Sequence, residues 1–473
     1  MKESLSKYLK KAKKPLRKIV EELSKEFSYV SILGSDTRGR AYQVSKTTTD
    51  IRDSGQVERG FVLRLYNGYG YSEYSFDKID EEVIIAKAKE IAKADVEYLK
   101  SKGLDFIEYP LIEEEEIEES FSSEFKVHME ASGPEGIVKR LKNIVKSLFK
   151  EYKKLVDFTA VYEWTLVNKI FISNKKDLEQ TYLFTTAFGI AVVSDGEKYM
   201  SEYQAYTGLA GLETLDKLEK NHEKIVKSAI ELLDAKKIKP GVYDFITDPD
   251  VSGLIAHEAF GHGVEMDMFV KNRAKAKEYI GKRVASDCTI MRDGAKSVKE
   301  ASSYLFDDEG NLGCDTLVIE NGILKTGYVD QLSALQLGIE PTGNGKRESF
   351  ERKAYTRMTN TFFEPGEASL EDMIKSIDEG YLLEGYQSGM EDPKNWGIQC
   401  VLAKGREIKK GKLTGKIVAP VVLTGYVPDL LESISMLSND LQMNSAGGCG
   451  KGYKEWSKVS MGGPYMKVRG RLG

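Results

Sequence analysis

Hydrophobic residues recur at helical spacing in four stretches of the first half of the chain. In the third stretch, Ile137, Leu141 and Leu148 fall on one side of a helix, because residues three or four apart share a face. Pro15 in the first stretch and Asp80 in the second are residue types that favour a helix start. These patterns predict helices from Pro15 to Phe27, after Asp80, over 137–152 and over 215–233.

Runs of alternating or aromatic-rich residues lie between these helices and predict β-strands. Two of the runs flank Asn67-Gly68, a dipeptide typical of a tight hairpin turn, and two others flank Asp195-Gly196. A mostly acidic run over 113–119 is typical of a solvated linker or an exposed helix face. The predicted strands cover 61–66, 69–76, 155–174, 181–193 and 199–206.

The pattern changes after residue 236. Long helical periodicity fades, glycine becomes frequent, and short β-like runs appear, for example over 316–319 and 417–423. We therefore predict an α+β protein with two domains. An N-terminal α+β domain over 1–236 has long helices packed on a sheet, and a C-terminal domain over 237–473 is rich in β-structure.

Composition and charge exclude several classes of protein. The 473 residues include 69 Lys and Arg against 74 Asp and Glu, a net charge of −5, whereas nucleic-acid binders are usually strongly basic. Hydrophobic residues make up 41% of the chain, which is typical of a globular rather than a disordered protein. We expect no nucleic-acid partner.

Cysteine usage and hydropathy indicate the compartment. Four cysteines are too few and too scattered to crosslink a chain of this length. Residues 1–20 contain no apolar run of signal-peptide length. The most apolar stretch, 417–427, has about half the length of a membrane span and contains Pro420 and Gly425. We expect a soluble cytoplasmic protein that does not enter a membrane.

Two of the four histidines lie five residues apart in one short segment. After a predicted strand and an Asp248-Pro249 helix start, the chain contains His257-Glu-Ala-Phe-Gly-His262-Gly. In a regular α-helix, residues five apart point about 140° away from each other, so the two imidazoles would not meet at one ion. We expect the helix to widen into a π-type turn or to end irregularly at Gly261, because glycine permits both.

A catalytic zinc site usually has three protein ligands and one open position, so a third ligand must come from elsewhere in the chain. Among the cysteines, Cys449 is distinguished by glycines on both sides. We expect Cys288, Cys314 and Cys400 to pack as small hydrophobic residues. Lone histidines in charged surroundings usually have solvated or structural roles. The candidates for the third ligand are Glu265, Asp267, His128, His222 and a cysteine thiolate.

The residue types at this site predict a hydrolase. A zinc ion held there would lower the pKa of a bound water molecule to about 7 and polarise a carbonyl group. Glu258, adjacent to a predicted ligand, is placed to act as general base on the zinc-bound water and to pass its proton to a leaving amine. The structural alternative is a hydrogen-bonded, buried polar cluster of His257, Glu258 and His262.

At these residues the chain resembles the TldD/PmbA family of metallopeptidases. The C-terminal half carries the resemblance, whereas the first 110 residues match only in pattern. The matching segments are His257-Glu-Ala-Phe-Gly-His262-Gly-Val-Glu265, Pro341-Thr-Gly-Asn-Gly-Lys-Arg-Glu-Ser349, Arg357-Met-Thr-Asn-Thr361, Glu379-Gly-Tyr-Leu-Leu-Glu384 and Gly447-Gly-Cys449-Gly.

The resemblance implies a zinc-dependent metalloprotease that hydrolyses unstructured peptides, including leader peptides of modified peptides. It implies that His257, His262 and Cys449 bind Zn²⁺ and that Glu258 is catalytic, in a β-rich C-terminal domain. It also implies a dimer, either of identical subunits or with a family member that lacks the motif. Because this chain has the full motif, it resembles the active subunit.

Some features do not follow from the resemblance. Residues 386–396 match the family's Gly-rich stretch only loosely, so they leave the substrate-lining contacts open. The sequence does not identify the oxyanion stabiliser, for which Arg347, Arg357 and several tyrosines are equal candidates. Two other functions stay open: a non-catalytic metal-binding partner subunit, whose closed site would have four protein ligands, and a zinc amidase with a narrow pocket for small molecules.

Overall fold

The computed structural model describes residues 1–102, 108–452 and 455–473. Its N-terminal half consists of one sheet and long helices. The helices are α1 (Lys7–Leu23), α2 (Glu81–Ser101), α3 (Gly133–Glu151) and α4 (Glu213–Leu233). The strands are β1 (Val30–Val44), β2 (Thr49–Asp53), β3 (Glu58–Tyr66), β4 (Tyr71–Phe76), β5 (Ile117–Ser122), β6 (Leu155–Ser173), β7 (Lys176–Ser194) and β8 (Tyr199–Gly208).

The N-terminal sheet is covered on both faces. Its strand order is β4-β3-β1-β6-β7-β5, with β2 paired to β1 and β8 to β7. Side chains alternate between faces along a strand. On β6, Phe158 and Ile170 pack under the helices, whereas Val167 and Phe171 face the C-terminal half. The sheet therefore separates the helices from the C-terminal half, as expected for the predicted α+β domain.

The four predicted helices are present, but the first begins earlier than predicted. Asp80 caps α2, because its side chain accepts a hydrogen bond from the Val83 N–H at 3.2 Å. Pro15 lies inside α1 and not at its start, which Ser6 caps instead. Leu9 is fully buried and extends the apolar face beyond Pro15 towards the N-terminus. Burial of that face thus outweighs the hydrogen bond that proline cannot donate.

Both predicted hairpins are confirmed. Strands β3 and β4 pair antiparallel with Tyr66 opposite Tyr71, and β7 and β8 pair with Ser194 opposite Tyr199. The first turn spans residues 67–70 and is closed by a hydrogen bond from the Asn67 N–H to the Gly70 carbonyl at 2.9 Å.

The C-terminal half consists of short helices and many strands. The α-helices are α5 (Pro249–Leu254), α6 (Asp267–Val270), α7 (Gln331–Leu337), α8 (Leu370–Lys375) and α9 (Val427–Glu432). A π-helix covers Ile255–Gly261, and 3-10 turns cover His262–Val264 and Lys275–Tyr279. The strands are β9 (Gly241–Thr247), β10 (Met291–Asp293), β11 (Thr316–Glu320), β12 (Ile323–Leu324), β13 (Gly345–Lys346), β14 (Tyr355–Thr356), β15 (Asn360–Phe363), β16 (Glu379–Asp392), β17 (Gly397–Lys409), β18 (Lys412–Val418), β19 (Val421–Tyr426), β20 (Met436–Leu437), β21 (Gln442–Asn444), β22 (Gly448–Lys451), β23 (Glu455–Lys458), β24 (Ser460–Gly463) and β25 (Met466–Leu472).

Five of these strands form a closed ring. Strands β16, β9, β25, β19 and β17 pair in that order, and β17 pairs back to β16. Phe245, Leu383 and Val468 of the ring belong to the largest buried apolar cluster. Strand β9 leads from this ring directly into the helix that carries the paired histidines, while a second sheet of order β12-β11-β10-β15-β24-β21 contacts that helix through β24. The fold is thus α+β with a β-rich C-terminal half, as predicted.

Two sequence-based expectations are wrong in detail. The run over 417–423 is not one strand, because the cis Ala419-Pro420 peptide separates β18 from β19. The acidic run over 113–119 is only partly solvated. Glu114 is largely buried and accepts a hydrogen bond from the Ser173 hydroxyl at 2.6 Å, and the run ends in the edge strand β5.

The sheets divide along the chain near the predicted domain boundary. Every described strand up to Gly208 belongs to the first sheet, and every described strand from Gly241 onward belongs to the other sheets. We therefore keep residue 236 as the proposed boundary. Among the described helices, none has the length and apolar character needed to cross a bilayer.

Candidate metal centre

The paired histidines lie on a widened helix. Asp248 caps α5 by accepting a hydrogen bond from the Val251 N–H at 2.8 Å. Helix α5 then passes into the π-helix, where the His262 N–H donates to the His257 carbonyl five residues earlier. A bond of this kind adds one residue to the turn and brings the two histidines to one side. Their ring centroids are 5.0 Å apart, so the structure has the predicted π-type turn.

Gly261 permits this local geometry. A Cβ atom at position 261 would lie 2.5 Å from Met358 Sδ and 2.9 Å from the Ala256 carbonyl oxygen, closer than any side chain allows. The Tyr328 hydroxyl donates to the Gly261 carbonyl and holds the end of the π-helix in place. The wide turn therefore depends on glycine at this position.

Cys449 reaches the histidines from a separate hairpin. It lies on β22, opposite Ser457 of β23. Its Sγ atom is 3.4 Å from Nε2 of His262, although 187 residues separate the two in sequence. The buried Arg357 guanidinium donates to the carbonyl groups of Cys449 and Glu455, so it ties both strands of the hairpin to the core.

The three side chains form a group that fits a zinc ion. The candidate ligand atoms of His257, His262 and Cys449 all lie within 4.8 Å of one another. Nδ1 of His257 is buried and has no hydrogen-bond partner among the described residues. Burial alone would raise the pKa of the Cys449 thiol, but hydrogen bonds to both histidines lower it to about 5. A thiolate beside two imidazoles is a donor set that zinc prefers.

Glu258 lies beside this group. Its Oε2 atom is 3.8 Å from Nε2 of His262, and its side chain remains 19% exposed. Strand β16 passes close to it, because a Cβ atom at Gly389 would lie 2.5 Å from Glu258 Cγ. The carboxylate thus lies next to the candidate ligands and keeps access to solvent.

The other candidates for the third ligand make different contacts. Glu265 approaches His262 from the opposite ring nitrogen, with Oε2 3.1 Å from Nδ1. Asp267 accepts a hydrogen bond from Lys451 Nζ at 2.7 Å. His128 lies 3.4 Å from the Glu3 carboxylate, and His222 lies 3.3 Å from the Ser147 hydroxyl, as expected for histidines with structural or solvated roles.

Comparison with known proteins decides the family. The PmbA/TldA metallopeptidase C-terminal domain matches residues 240–471. Metalloprotease MJ0996 of Methanocaldococcus jannaschii is 30% identical over 389 residues, which cover 75% of this chain and 85% of that protein. The chain belongs to the TldD/PmbA family. It is therefore a member of a family of metallopeptidases, as its sequence motifs predict.

Two further relatives of this TldD/PmbA member are informative. The zinc metalloprotease TldD homolog of Saccharolobus solfataricus is 32% identical over 244 residues, 51% of this chain and 54% of that protein. The crystal structure of TldE from Thermococcus kodakarensis has a TM-score of 0.73 and covers 97% of this chain and 100% of that one. At 18% identity, the likeness to TldE shows a common fold and nothing more.

In this TldD/PmbA member, a buried carboxylate orients His262 from behind. Glu265 is 2% exposed, and its Oε2 atom lies 3.1 Å from both His262 Nδ1 and Lys451 Nζ. Burial opposes its charge, but Lys451 and His262 bring the pKa of Glu265 down to about 2. Lys451 follows Cys449 by two residues, so both side chains leave the same face of β22. Strand β22 thus supplies both the candidate ligand Cys449 and Lys451, the partner of the Glu265 carboxylate.

We expect Glu265→Ala to weaken zinc binding by about 10- to 100-fold, the usual effect of removing a group that orients a ligating histidine. Zinc affinity can be measured by competition with a chromophoric chelator, and circular dichroism can confirm that the variant folds. Glu320→Ala is a matched control, because Glu320 is a partly exposed carboxylate that pairs with Lys325 at 3.2 Å. A folded Glu265→Ala protein with the zinc affinity of this control would contradict the orienting role.

The two arginine candidates for the oxyanion stabiliser make structural contacts. Arg347 pairs with the Glu73 carboxylate and donates to the Arg352 carbonyl at 2.6 Å. Arg357 is 2% exposed and donates to backbone carbonyls of the β22–β23 hairpin. These contacts tie both guanidinium groups to the fold, and their role towards an oxyanion stays a prediction. Their partners Glu73, Cys449 and Glu455 are 92 to 274 residues away in sequence, so they left no local signal.

The remaining cysteines differ in burial. Cys400 is fully buried and Cys314 is half-buried, as expected for small hydrophobic residues. Cys288 is exposed, with its Sγ atom 3.2 Å from the Ser286 hydroxyl, so the prediction that it packs in the core is wrong. Cys288 lies in an exposed turn three residues after the buried Ala285, where the chain has returned to the surface.

Proposed function

We propose that this chain is a zinc-dependent metallopeptidase that hydrolyses peptide bonds of unstructured peptides. The observation that supports this proposal is the convergence of His257, His262 and Cys449 within 4.8 Å, with Glu258 beside them. Three protein ligands leave one of the usual four positions on zinc open, which is typical of a catalytic site.

The proposed mechanism assigns proton transfer to Glu258. When bound, zinc would activate a water molecule and polarise the scissile carbonyl. Glu258 takes the proton of the attacking water and then delivers it to the leaving amine. The partial exposure of Glu258 lets it reach both the water molecule and the leaving amine. Glu258 lies next to His257 in the π-helix, so the base and a candidate ligand share one element. Glu265 meanwhile keeps the His262 ring in one orientation.

The surroundings of Glu258 favour an extended substrate. Gly389 of β16 contacts Glu258, and its neighbours Ser388 and Met390 are exposed, the latter by 64%. A peptide without structure can bind as an extended strand along such a segment. Most segments of a folded protein cannot bind in this way, because they are already paired or buried. We therefore propose flexible peptides as the substrate class.

The site differs from that expected of a structural metal centre. A closed site would have four protein ligands. Among the described residues, the group contains three ligating side chains, and Glu265 contacts the ring nitrogen that faces away from Cys449. These features favour a peptidase over a metal-binding partner subunit without catalysis.

We also propose that the chain works as a dimer in the cytoplasm. The partner is either a second copy or a family member that lacks the motif. The family resemblance supports the dimer, and the scattered cysteines support a reducing compartment. A family member that lacks the motif is the first partner to test, because this chain carries the full motif.

The test of the proposed function is peptide cleavage that depends on zinc. We expect the purified chain, alone or with its partner, to cut a disordered peptide into fragments detectable by mass spectrometry. A zinc chelator should abolish cleavage, and added zinc should restore it, because the water-activating group is then removed and returned. A folded protein that contains the same peptide segment is the control and should stay intact.

Two outcomes would contradict this proposal. Cleavage that continues in excess chelator would show that zinc is not needed. Hydrolysis of small amides without cleavage of any peptide by the zinc-loaded protein would favour the amidase instead.

A further inference from the structure

The hairpin tip, residues 386–397, contacts the ligand-bearing helix at three places. It joins β16 to β17, and it includes the segment that only loosely resembles the family's Gly-rich stretch. Gly389 lies against Glu258, Glu391 lies against Gly263, and Trp396 lies against Phe260. The hairpin tip therefore contacts Glu258, which is the predicted general base, and Gly263, which follows the predicted ligand His262. It also contacts Phe260, which lies between them.

Glu391 makes a specific hydrogen bond to the segment that carries His262. Its Oε2 atom accepts from the Gly263 N–H at 3.0 Å, although the two residues are 128 apart in sequence. Gly263 directly follows His262, so this bond restrains the backbone next to a predicted ligand. The fit is tight, because a Cβ atom at Gly263 would lie 2.6 Å from Oε1 of Glu391.

The position of Glu391 is costly for the fold. Its Oε1 atom and the indole Nε1 of Trp396 are both buried without a hydrogen-bond partner among the described residues. A buried polar group without a partner destabilises the folded state, because it has lost its hydrogen bonds to water. Burial also raises the pKa of Glu391 well above its usual range. An apolar residue would avoid these costs but could not accept the Gly263 hydrogen bond.

Trp396 is a second costly residue in the same hairpin tip. Its φ angle is 58°, a left-handed backbone conformation that bulky residues rarely adopt. In return, its fully buried ring packs 4.6 Å from Tyr279 and 6.2 Å from Phe260 of the π-helix, measured between ring centroids. Unfavourable conformations of this kind concentrate where surrounding contacts over-determine a functional geometry.

We propose that Glu391 is a positioning residue for His262 and that the hairpin tip maintains the π-helix that carries Glu258 and ends next to His262. Glu391 acts through the Gly263 backbone, while Gly389 and Trp396 contact Glu258 and Phe260 of the π-helix. The inference rests on the proposed zinc site, but the contact that it invokes belongs to the protein alone.

The test compares four variants and one control variant with the wild type. Glu391→Ala removes the acceptor, whereas Glu391→Gln keeps an oxygen that can accept from Gly263. Gly263→Ala introduces a methyl group that collides with Glu391, and the double variant with Glu391→Ala gives that methyl group space. Glu407→Ala is the control, because Glu407 lies on β17 of the same hairpin and pairs with Lys409 and Lys416 instead.

Two readouts separate positioning from a general structural effect. Amide hydrogen exchange of Gly263 in the metal-free protein reports the hydrogen bond without any zinc. Zinc affinity and the visible spectrum of the cobalt-substituted protein report the ligand geometry. In Glu391→Ala we expect exchange about five-fold faster, as for the loss of one hydrogen bond, and zinc affinity about 10- to 100-fold lower. Glu391→Gln should stay within about three-fold of the wild type.

The double variant makes the proposal specific. Gly263→Ala alone should weaken zinc binding as much as Glu391→Ala, yet add little when Glu391 is already Ala, since contacting residues are non-additive. Additive effects, or Gly263 exchange in Glu391→Ala equal to that in the control, would overturn the proposal. If Glu391→Ala does not fold, the other two single variants still test the proposal. Gly263→Ala should weaken zinc binding, whereas Glu391→Gln should not. A wild-type protein that binds no zinc would defeat the proposed function but leave the exchange test valid.

Discussion

Cys449→Ser is expected to lose the zinc ion that the wild-type protein retains when zinc is limiting. The thiolate is the ligating form of cysteine. Burial opposes ionisation of Cys449, but the neighbouring histidines lower its pKa to about 5, so it is ready to bind metal at neutral pH. A serine hydroxyl in the same place stays protonated. Metal analysis should show that the variant binds zinc with an affinity at least about 100-fold lower than that of the wild type. This loss is larger than the loss typical of residues that only orient a ligand.

The matched control for this variant is Cys314→Ser. Cys314 is half-buried and donates weakly to the Leu312 carbonyl, at a distance of 3.6 Å, so it should keep a full complement of zinc. His262→Ala should lose zinc as Cys449→Ser does. Full zinc occupancy of Cys449→Ser at limiting zinc would contradict the assignment of Cys449 as the third ligand.

The candidate metal centre could be proposed from the sequence because histidine and cysteine are rare in this chain. With four histidines and four cysteines in the chain, the pair at His257 and His262 is conspicuous and few third ligands are available. The five-residue spacing also carried structural information, since only a distorted helix brings both rings to one side. The long helices of the first half were predictable for a similar reason, as their apolar periodicity is repeated over several turns.

The residues that support the centre could not be predicted in this way. Lys451, Glu391 and Arg357 act through partners that are 92 to 186 residues away, such as Glu265, Gly263 and Cys449. Such pairs follow no period along the chain, because tertiary folding alone brings them together. The same holds for Glu114, which looked solvated as part of an acidic run but is covered by β6 and β7.

Glu258→Gln is expected to bind zinc as the wild type does and to lose peptide cleavage. The amide has nearly the same size as the carboxylate but cannot accept the proton of the attacking water. General base catalysis typically contributes about 10²- to 10⁴-fold to the rate, so kcat should fall by that factor. KM should change little, because the shape of the site is preserved. Peptide cleavage followed by mass spectrometry, together with metal analysis of the same preparation, measures both quantities.

Comparison with Cys449→Ser, a variant of a predicted ligand, distinguishes loss of the base from loss of the metal. Cys449→Ser loses activity because it loses metal, so excess zinc should restore part of its rate. Glu258→Gln already contains the metal, so excess zinc should restore nothing. Glu320→Gln, which changes a partly exposed carboxylate paired with Lys325, should keep the wild-type kcat. A zinc-loaded Glu258→Gln protein with kcat within a few-fold of that control would show that another group accepts the proton, and Glu258 would then be no more than a neighbour of the metal.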